Sequence, residues 1–445
     1  MNTPIFDFVK KYSESGITRF HMPGHKGVGA LGIEPFDITE IRGADTLYSA
    51  GGIIKESEKN ATDLFGTAHT YYSTEGSTLS IKAMLATALV NAPRGAKRTL
   101  VAARNAHRAL VYAAAELDFD ISWLYSVEDS HFCQCRVSAD ALREQLSRSL
   151  PFAVYITSPD YLGNLSDVAE ISAVCHEFGV PLLVDNAHGA YLAFCEKNLH
   201  PIALGADMCA DSAHKTLPVL TGGAYLHISK EANSDYVDTA RKMLCAFAST
   251  SPTYLTMCSL DICNKLISEE YSADIKKCCE RVRQIKKQLS DMGFAPENAE
   301  PMKIVFRAGK FGYGGDELAE HFRKFSIEVE FSDADYTVLM VTPKNSEMDF
   351  ERLTKAALSL KKRVPIECTA ILQRAEPKKI ISIKEAVFSK SELVDTRYAV
   401  GRICATPTVS CPPAVPIVIS GELIDEQVVK MLLNFNVEKI EVVKI

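Results

Sequence analysis

A chain of 445 residues is more than one hydrophobic core ordinarily serves, so two or more domains are expected. With 47% hydrophobic and 24% charged residues it reads as globular rather than disordered. A formal net charge of −7 supplies no basic footprint, which argues against nucleic acid as a partner. No run of about twenty apolar residues occurs, so no membrane span is expected. The opening "MNTPIFDFVKKYSESG" lacks the apolar stretch and cleavage site of a secretory signal. Thirteen cysteines lie without paired CxxC spacing, clustered only at Cys133/Cys135 and Cys278/Cys279, and free thiols in a reducing cytoplasm are the expectation.

In chain order, residues 20–52 come first as a Gly- and Pro-rich segment ("HMPGHKG", "SAGG"), expected as an ordered arm rather than a helix. His21 and His25 stand four apart, but Pro23 and Gly24 break the helix that would align them, so a structured turn is expected instead of a metal site. From about residue 60 to 230, helical patterns alternate with short apolar strands. "STLSIKAMLATALV", "HRALVYAAAELDF", "SADALREQLSRSL" and "DVAEISAVCHEFG" read as helices. "RTLVAA", "ISWLY", "FAVYITSP", "PLLVDNA", "ADMCADS" and "GGAYLHIS" read as strands. Fully apolar strands between helices predict an α/β domain with a mostly parallel sheet covered on both faces, its ligands beyond the carboxyl ends of the strands. Residues 255–292 look helical and lead into a second α/β unit. The expected division is an arm over 1–55, a large domain with its linker helix over 56–290, and a small domain over 291–445.

Four strand ends carry polar residues. In "STEGSTLS", Gly76, Ser77 and Thr78 open a helix, where backbone N–H groups and hydroxyls suit a phosphate; an ordinary Ser/Thr cap has the same signature. His107 in "RNAHRAL" offers a flat ring or merely a cap. Asp185 in "PLLVDNAHGAY" sits where a carboxylate would hold a protonated ring nitrogen or cap the next segment, with His188 and Gly189 following. In "ADMCADSAHKTLP", Lys215 follows Ser212 and His214; a buried lysine there is a Schiff-base nucleophile, a solvated one only surface. Together, a phosphate cup, a stacking imidazole, a pyridinium partner and an amine are the parts that hold pyridoxal 5′-phosphate (PLP).

These stretches, with "FHMPGHKG", "DITEIRGAD", "FGTAHTYYSTEGST", "ITSPDYLGN" and "STSPTY", resemble the Orn/Lys/Arg decarboxylases nearly end to end. The resemblance implies fold type I of the PLP enzymes, with a mostly parallel seven-stranded sheet in the large domain and a smaller C-terminal α/β domain. By matching motif it implies Lys215 as the Schiff-base lysine, Asp185 as the partner of the pyridinium nitrogen and His107 stacked on the ring. His188 would lie beside the cofactor, and Gly76, Ser77, Thr78, Ser212 and His214 would hold the phosphate. Thr250 or Ser251 would reach the phosphate of a partner subunit, which implies a homodimer or higher homo-oligomer with shared sites. The implied reaction is decarboxylation of lysine, arginine or ornithine, with an aminotransferase clamping its substrate through Arg307 or Arg402, or a non-catalytic homologue, as the alternatives. Several positions depart from the family pattern: Asn186 for a Glu, Tyr191 for a His, Tyr48 in place of the His of "DxLH", and "SCPPAVP" (Ser410 to Pro416) for "PYPPGxP". They surround the substrate and leave its identity open.

Overall fold

In the computed structural model, which describes residues 1–126, 131–361, 363–366, 376–407 and 413–444, the apolar runs form one sheet. Its strands are β1 (His69–Ser73), β2 (Thr99–Ala103), β3 (Asp120–Leu124), β4 (Ala153–Thr157), β5 (Leu182–Asp185), β6 (Met208–Asp211) and β7 (Ala224–Ile228). Their order is β1-β7-β6-β5-β4-β2-β3. β2 and β3 are parallel, as are β5 and β6, whereas β7 runs antiparallel to both β1 and β6. Every residue of β5, β6 and β7 is buried, as expected of strands covered on both faces.

The helices expected at 77–90, 107–119, 138–150 and 167–179 form as Gly76–Val90, Arg108–Leu117, Ala139–Arg148 and Val168–Glu177. The long helical stretch is interrupted: Tyr254–Leu266 passes through a π turn at Ile267–Tyr271 into Ser272–Asp291. Residues 20–52 contain no α-helix or strand, only turns and the 3-10 turns Glu34–Phe36 and Leu47–Ser49. Within them His21 Nε2 meets Tyr12 Oη at 2.5 Å and His25 Nε2 meets Asp37 at 3.1 Å, so each imidazole has its own partner.

The chain forms two compact units. The first comprises residues 1–97, 152–155 and 168–275. Here the N-terminal helix Pro4–Ser13 is fastened by Asp261, whose Oδ2 accepts the backbone N–H of Ile5 (2.9 Å) and Phe6 (3.0 Å). Its Oδ1 accepts the Ser57 hydroxyl at 2.5 Å. The carboxylate thereby satisfies two of the donors that a helix start leaves unpaired.

The second unit comprises residues 98–151, 156–167 and 276–445. Beyond β2 and β3 it holds β8 (Lys303–Arg307), β9 (Phe331–Ser332) and β10 (Tyr336–Met340), an antiparallel sheet ordered β8-β10-β9. It also holds the antiparallel pair β11 (Ser391–Asp395) and β12 (Lys439–Val443). Val305, Val338, Val418, Leu432 and Val442 share one core there, none exposed at all. Lys303 is buried in the same unit and neutralised by Glu300 at 2.8 Å.

Eleven cysteines among the described residues are free thiols. Burial pushes the thiols of Cys175, Cys258 and Cys278 up to about 12.

Burial likewise raises the Asp261 carboxyl to about 6, against the pull of Ser57 and the two helix N–H groups. Between roughly pH 4 and 6 the folded chain keeps a proton that the unfolded chain releases, so this group's contribution to stability falls as pH rises through that window. Asp261→Asn should therefore flatten the pH dependence of the melting temperature there. Asp261→Ala, which orphans the two N–H groups, should cost about 1–3 kcal/mol by chemical denaturation.

Candidate active site

The sheet delivers its polar residues at strand ends. β5 closes on Asp185, 2% exposed, directly after the three apolar strand positions Leu182, Leu183 and Val184. Its Oδ1 accepts the Ala187 N–H at 3.2 Å and its Oδ2 accepts the Tyr155 hydroxyl at 3.1 Å. Burial raises the Asp185 carboxyl, while the Lys215 ammonium, Tyr155 and the Ala187 N–H pull it back. β6 closes on Asp211, and the one-turn helix Ala213–Thr216 that follows carries Lys215. The Lys215 Nζ lies 2.9 Å from His188 Nε2.

The helix Gly76–Val90 starts beside the same strand ends. The Ser212 hydroxyl donates to Ser77 Oγ at 2.7 Å, so two of the hydroxyls expected around a phosphate meet. The turn before β7 is sewn to them: Gly76 N–H donates to Gly222 O (2.8 Å), and His214 donates to Gly223 O through its backbone N–H and its Nδ1, each at 3.1 Å. Gly222 has φ +93°, and a Cβ there would lie 2.8 Å from the Thr74 carbonyl, so only glycine fits. Burial pushes the His214 imidazole below its ordinary value. Thr78 is exposed one residue on. Thr250 and Ser251 are exposed, on a segment tied back by the Ser249 N–H to Glu75 (2.8 Å).

Tyr155 was not singled out in the sequence; its signal is a tyrosine inside an otherwise apolar strand, whose hydroxyl needs a buried partner. Of the departures from the family pattern, Tyr191 is fully buried in the 3-10 turn Ala190–Phe194. The Tyr48 hydroxyl is buried without a hydrogen-bond partner, and burial raises its phenol.

In the second unit, His107 caps the helix Arg108–Leu117, its Nδ1 accepting the Ala109 N–H at 3.1 Å. Arg402 donates to Glu392 (2.6 Å) and to the Val443 carbonyl (3.1 Å), which commits it to structure. Arg307 ends β8 opposite Tyr336 of β10. Of "SCPPAVP", Ser410, Cys411 and Pro412 lie outside the described residues. Ala414 stands at φ +56°, a left-handed turn that glycine would take without strain, and its carbonyl accepts the Arg108 N–H at 2.9 Å. Arg104 holds the next carbonyls, Pro416 (2.9 Å) and Ile417 (3.0 Å).

A profile of the Orn/Lys/Arg decarboxylase major domain matches residues 3–308. The chain belongs to the Orn/Lys/Arg decarboxylase family. The arginine decarboxylase of Bacillus subtilis (strain 168) is 27% identical over 462 residues, covering 96% of this chain and 92% of its own. The uncharacterized protein YaaO of the same organism is 28% identical over 459 residues, covering 97% and 94%. Among solved structures, the Francisella novicida lysine decarboxylase LdcF superposes with a TM-score of 0.82 at 16% identity, covering 99% of this chain and 81% of that one. The E. coli constitutive lysine decarboxylase gives 0.78 at 17%, covering 100% and 82%.

The fold is therefore that of the fold type I PLP enzymes, and family membership makes the protein an amino-acid decarboxylase with PLP as cofactor. The residues present fit that group. Asp185 is a buried carboxylate whose raised proton affinity calls for a cationic donor, and the Gly76–Gly222 turn, with its paired serine hydroxyls at a helix start, suits a phosphate. Gly222→Ala should push the turn off Thr74 and raise the Kd for PLP by about tenfold or more, read by titrating the apo-protein with PLP.

Proposed function

We propose that the protein decarboxylates a basic L-amino acid, namely lysine, arginine or ornithine, to the corresponding amine and CO2 in an active site built on Lys215 and Asp185. One observation carries this reading: a lysine amine within hydrogen-bond reach of His188 acts electrostatically on a buried carboxylate that has only neutral donors besides. The names of the relatives, arginine decarboxylase and lysine decarboxylase, support the substrate class.

Bound there, PLP supplies an electron-withdrawing ring that takes up the electron pair left when CO2 departs. Lys215 offers its ε-amine as nucleophile, and His188 Nε2 accepts and returns the proton of that amine. Asp185 holds a protonated ring nitrogen by a charge-assisted hydrogen bond, stronger for being out of water. Ser77, Thr78, Ser212 and His214, with the backbone N–H groups that follow Gly76 at the helix start, would bind phosphate. The motif of His107 implies that its flat ring would serve the cofactor. Of the two arginines considered as a clamp for a substrate carboxylate, Arg402 is tied to Glu392 and Val443.

The working form is a homodimer with Thr250 or Ser251 completing the partner's phosphate site. Its support is the N-terminal segment, where Ile17, Phe20, Met22, Val28 and Leu31 are all exposed and Phe20 is 96% exposed, more apolar surface than a soluble monomer ordinarily leaves in one stretch. The free thiols suit a cytoplasmic location.

Incubation with each of the three amino acids, followed by identification of the product, tests the reaction. Release of CO2 with cadaverine, agmatine or putrescine is expected, and a keto acid without CO2 would overturn it. Lys215→Ala should abolish turnover, and Asp185→Ala should lower kcat by about a hundredfold or more. Light scattering should give twice the 48.9 kDa chain mass, and Phe20→Glu should shift the species toward one chain.

A further inference from the structure

A second acid is buried beneath the candidate site with no task so far. Asp211, the last residue of β6, is fully buried and immediately precedes Ser212. Its Oδ2 accepts from His200 Nε2 at 3.0 Å and His227 Nε2 at 3.1 Å. Its Oδ1 accepts from Asn186 Nδ2 at 2.7 Å and the Cys209 thiol at 3.4 Å. A carboxylate offers about four lone-pair sites, and here four donors fill them.

The imidazoles are set up to donate. His200 Nδ1 accepts the Ile202 N–H at 3.3 Å, which leaves its proton on Nε2. His227 Nδ1 meets the Thr70 hydroxyl at 2.9 Å. Burial works against the Asp211 charge, but the two imidazoles outweigh it, and the carboxyl stays far below the usual carboxylate range. His200, Cys209 and Asp211 bring ligand atoms within 4.8 Å of one another, a spacing open to a metal ion. The donors that fill the carboxylate make the cluster an anion held by hydrogen bonds instead.

Asn186 carries the link to the site. It directly follows Asp185, its backbone N–H bonds the Ala210 carbonyl at 2.9 Å, and its side chain bonds Asp211 alongside. Its own Oδ1 is buried without a partner, a cost accepted so that its amide N–H can face the acid. Gly189 leaves room for that side chain, since a Cβ there would lie 1.9 Å from the Asn186 Oδ1.

We propose that Asp211 is a positioning residue for the PLP site, locking the strand end that carries Asp185 to the one that carries Ser212 and Lys215 and placing a second buried negative charge behind Asp185. This rests on the site reading given above. A like charge at that place strengthens the hold of Asp185 on a proton, and so favours a cationic ring nitrogen beside it.

Asp211→Asn keeps the shape, removes the charge and turns a donor toward a donor. Titration of the apo-protein with PLP should show Kd raised by about tenfold or more. The pH midpoint of the loaded protein's yellow absorption band should move down, because less negative charge stabilises the protonated form. A purely structural defect would weaken binding without moving that midpoint. The double variant Asn186→Asp with Asp211→Asn, which returns the acid to the other side of the same hydrogen bond, should recover most of the affinity. Wild-type Kd and midpoint in Asp211→Asn would overturn the proposal. If that variant does not fold, Asn186→Ala carries the test by removing one donor while keeping the acid's charge, now less compensated: a raised Kd with a raised midpoint supports the proposal, and unchanged values sink it. A yellow band that persists in Lys215→Ala would overturn the site assignment instead, and the two failures are thereby read apart.

Discussion

A carboxylate taken out of water loses several kcal/mol of hydration unless donors or a cation replace it. Asp185 is such a group, and the first unit is arranged around it. β4 must bring the Tyr155 hydroxyl, the turn after β5 must aim the Ala187 N–H, and the helix after β6 must bring Lys215. The two neutral donors, Tyr155 and the Ala187 N–H, cannot cancel a full charge, so the group depends on a positive partner. The buried, hydrogen-bonded Asp211 behind it sharpens that dependence rather than relieving it.

Much of this organisation is written in local pattern. The strands that end at Asp185 and Asp211 are short apolar runs bounded by turns, and their ends could be located from periodicity alone. β1 could not, because "HTYYS" reads as polar: its tyrosines are buried only because Tyr71 donates to the Val237 carbonyl and Tyr72 to the Ser57 carbonyl. The helices Ile53–Phe65 and Asp235–Phe247 do carry a helical period, with Ile54, Ala61 and Phe65 on one and Tyr236, Ala240 and Leu244 on the other buried along one side. Motifs pointed to Lys215, Asp185 and Ser77. They were silent on Tyr155, His200 and His227, whose partners lie 11 to 30 residues away and become visible only when strands pair.

The positions that depart from the family pattern behave in different ways. Asn186 is integrated into the Asp211 cluster, where an acid would meet an acid. Ala414 keeps a left-handed backbone without the residue that makes it easy, and Arg104 and the Arg108 N–H hold the surrounding carbonyls in place. Tyr48 presents a hydroxyl with nothing to bond. Substitution has thus left the carboxylate and lysine geometry whole and fallen on its surroundings.

The thiols carry a consequence for the protein's working life. While the chain is folded, burial holds many of them as poor nucleophiles, slow to oxidise or alkylate. A single global opening would expose them together, and in oxidising surroundings a fraction of openings would end in a disulfide that the folded chain does not contain. Durability outside a reducing compartment then depends on the population of the opened chain and on how fast an oxidant traps it.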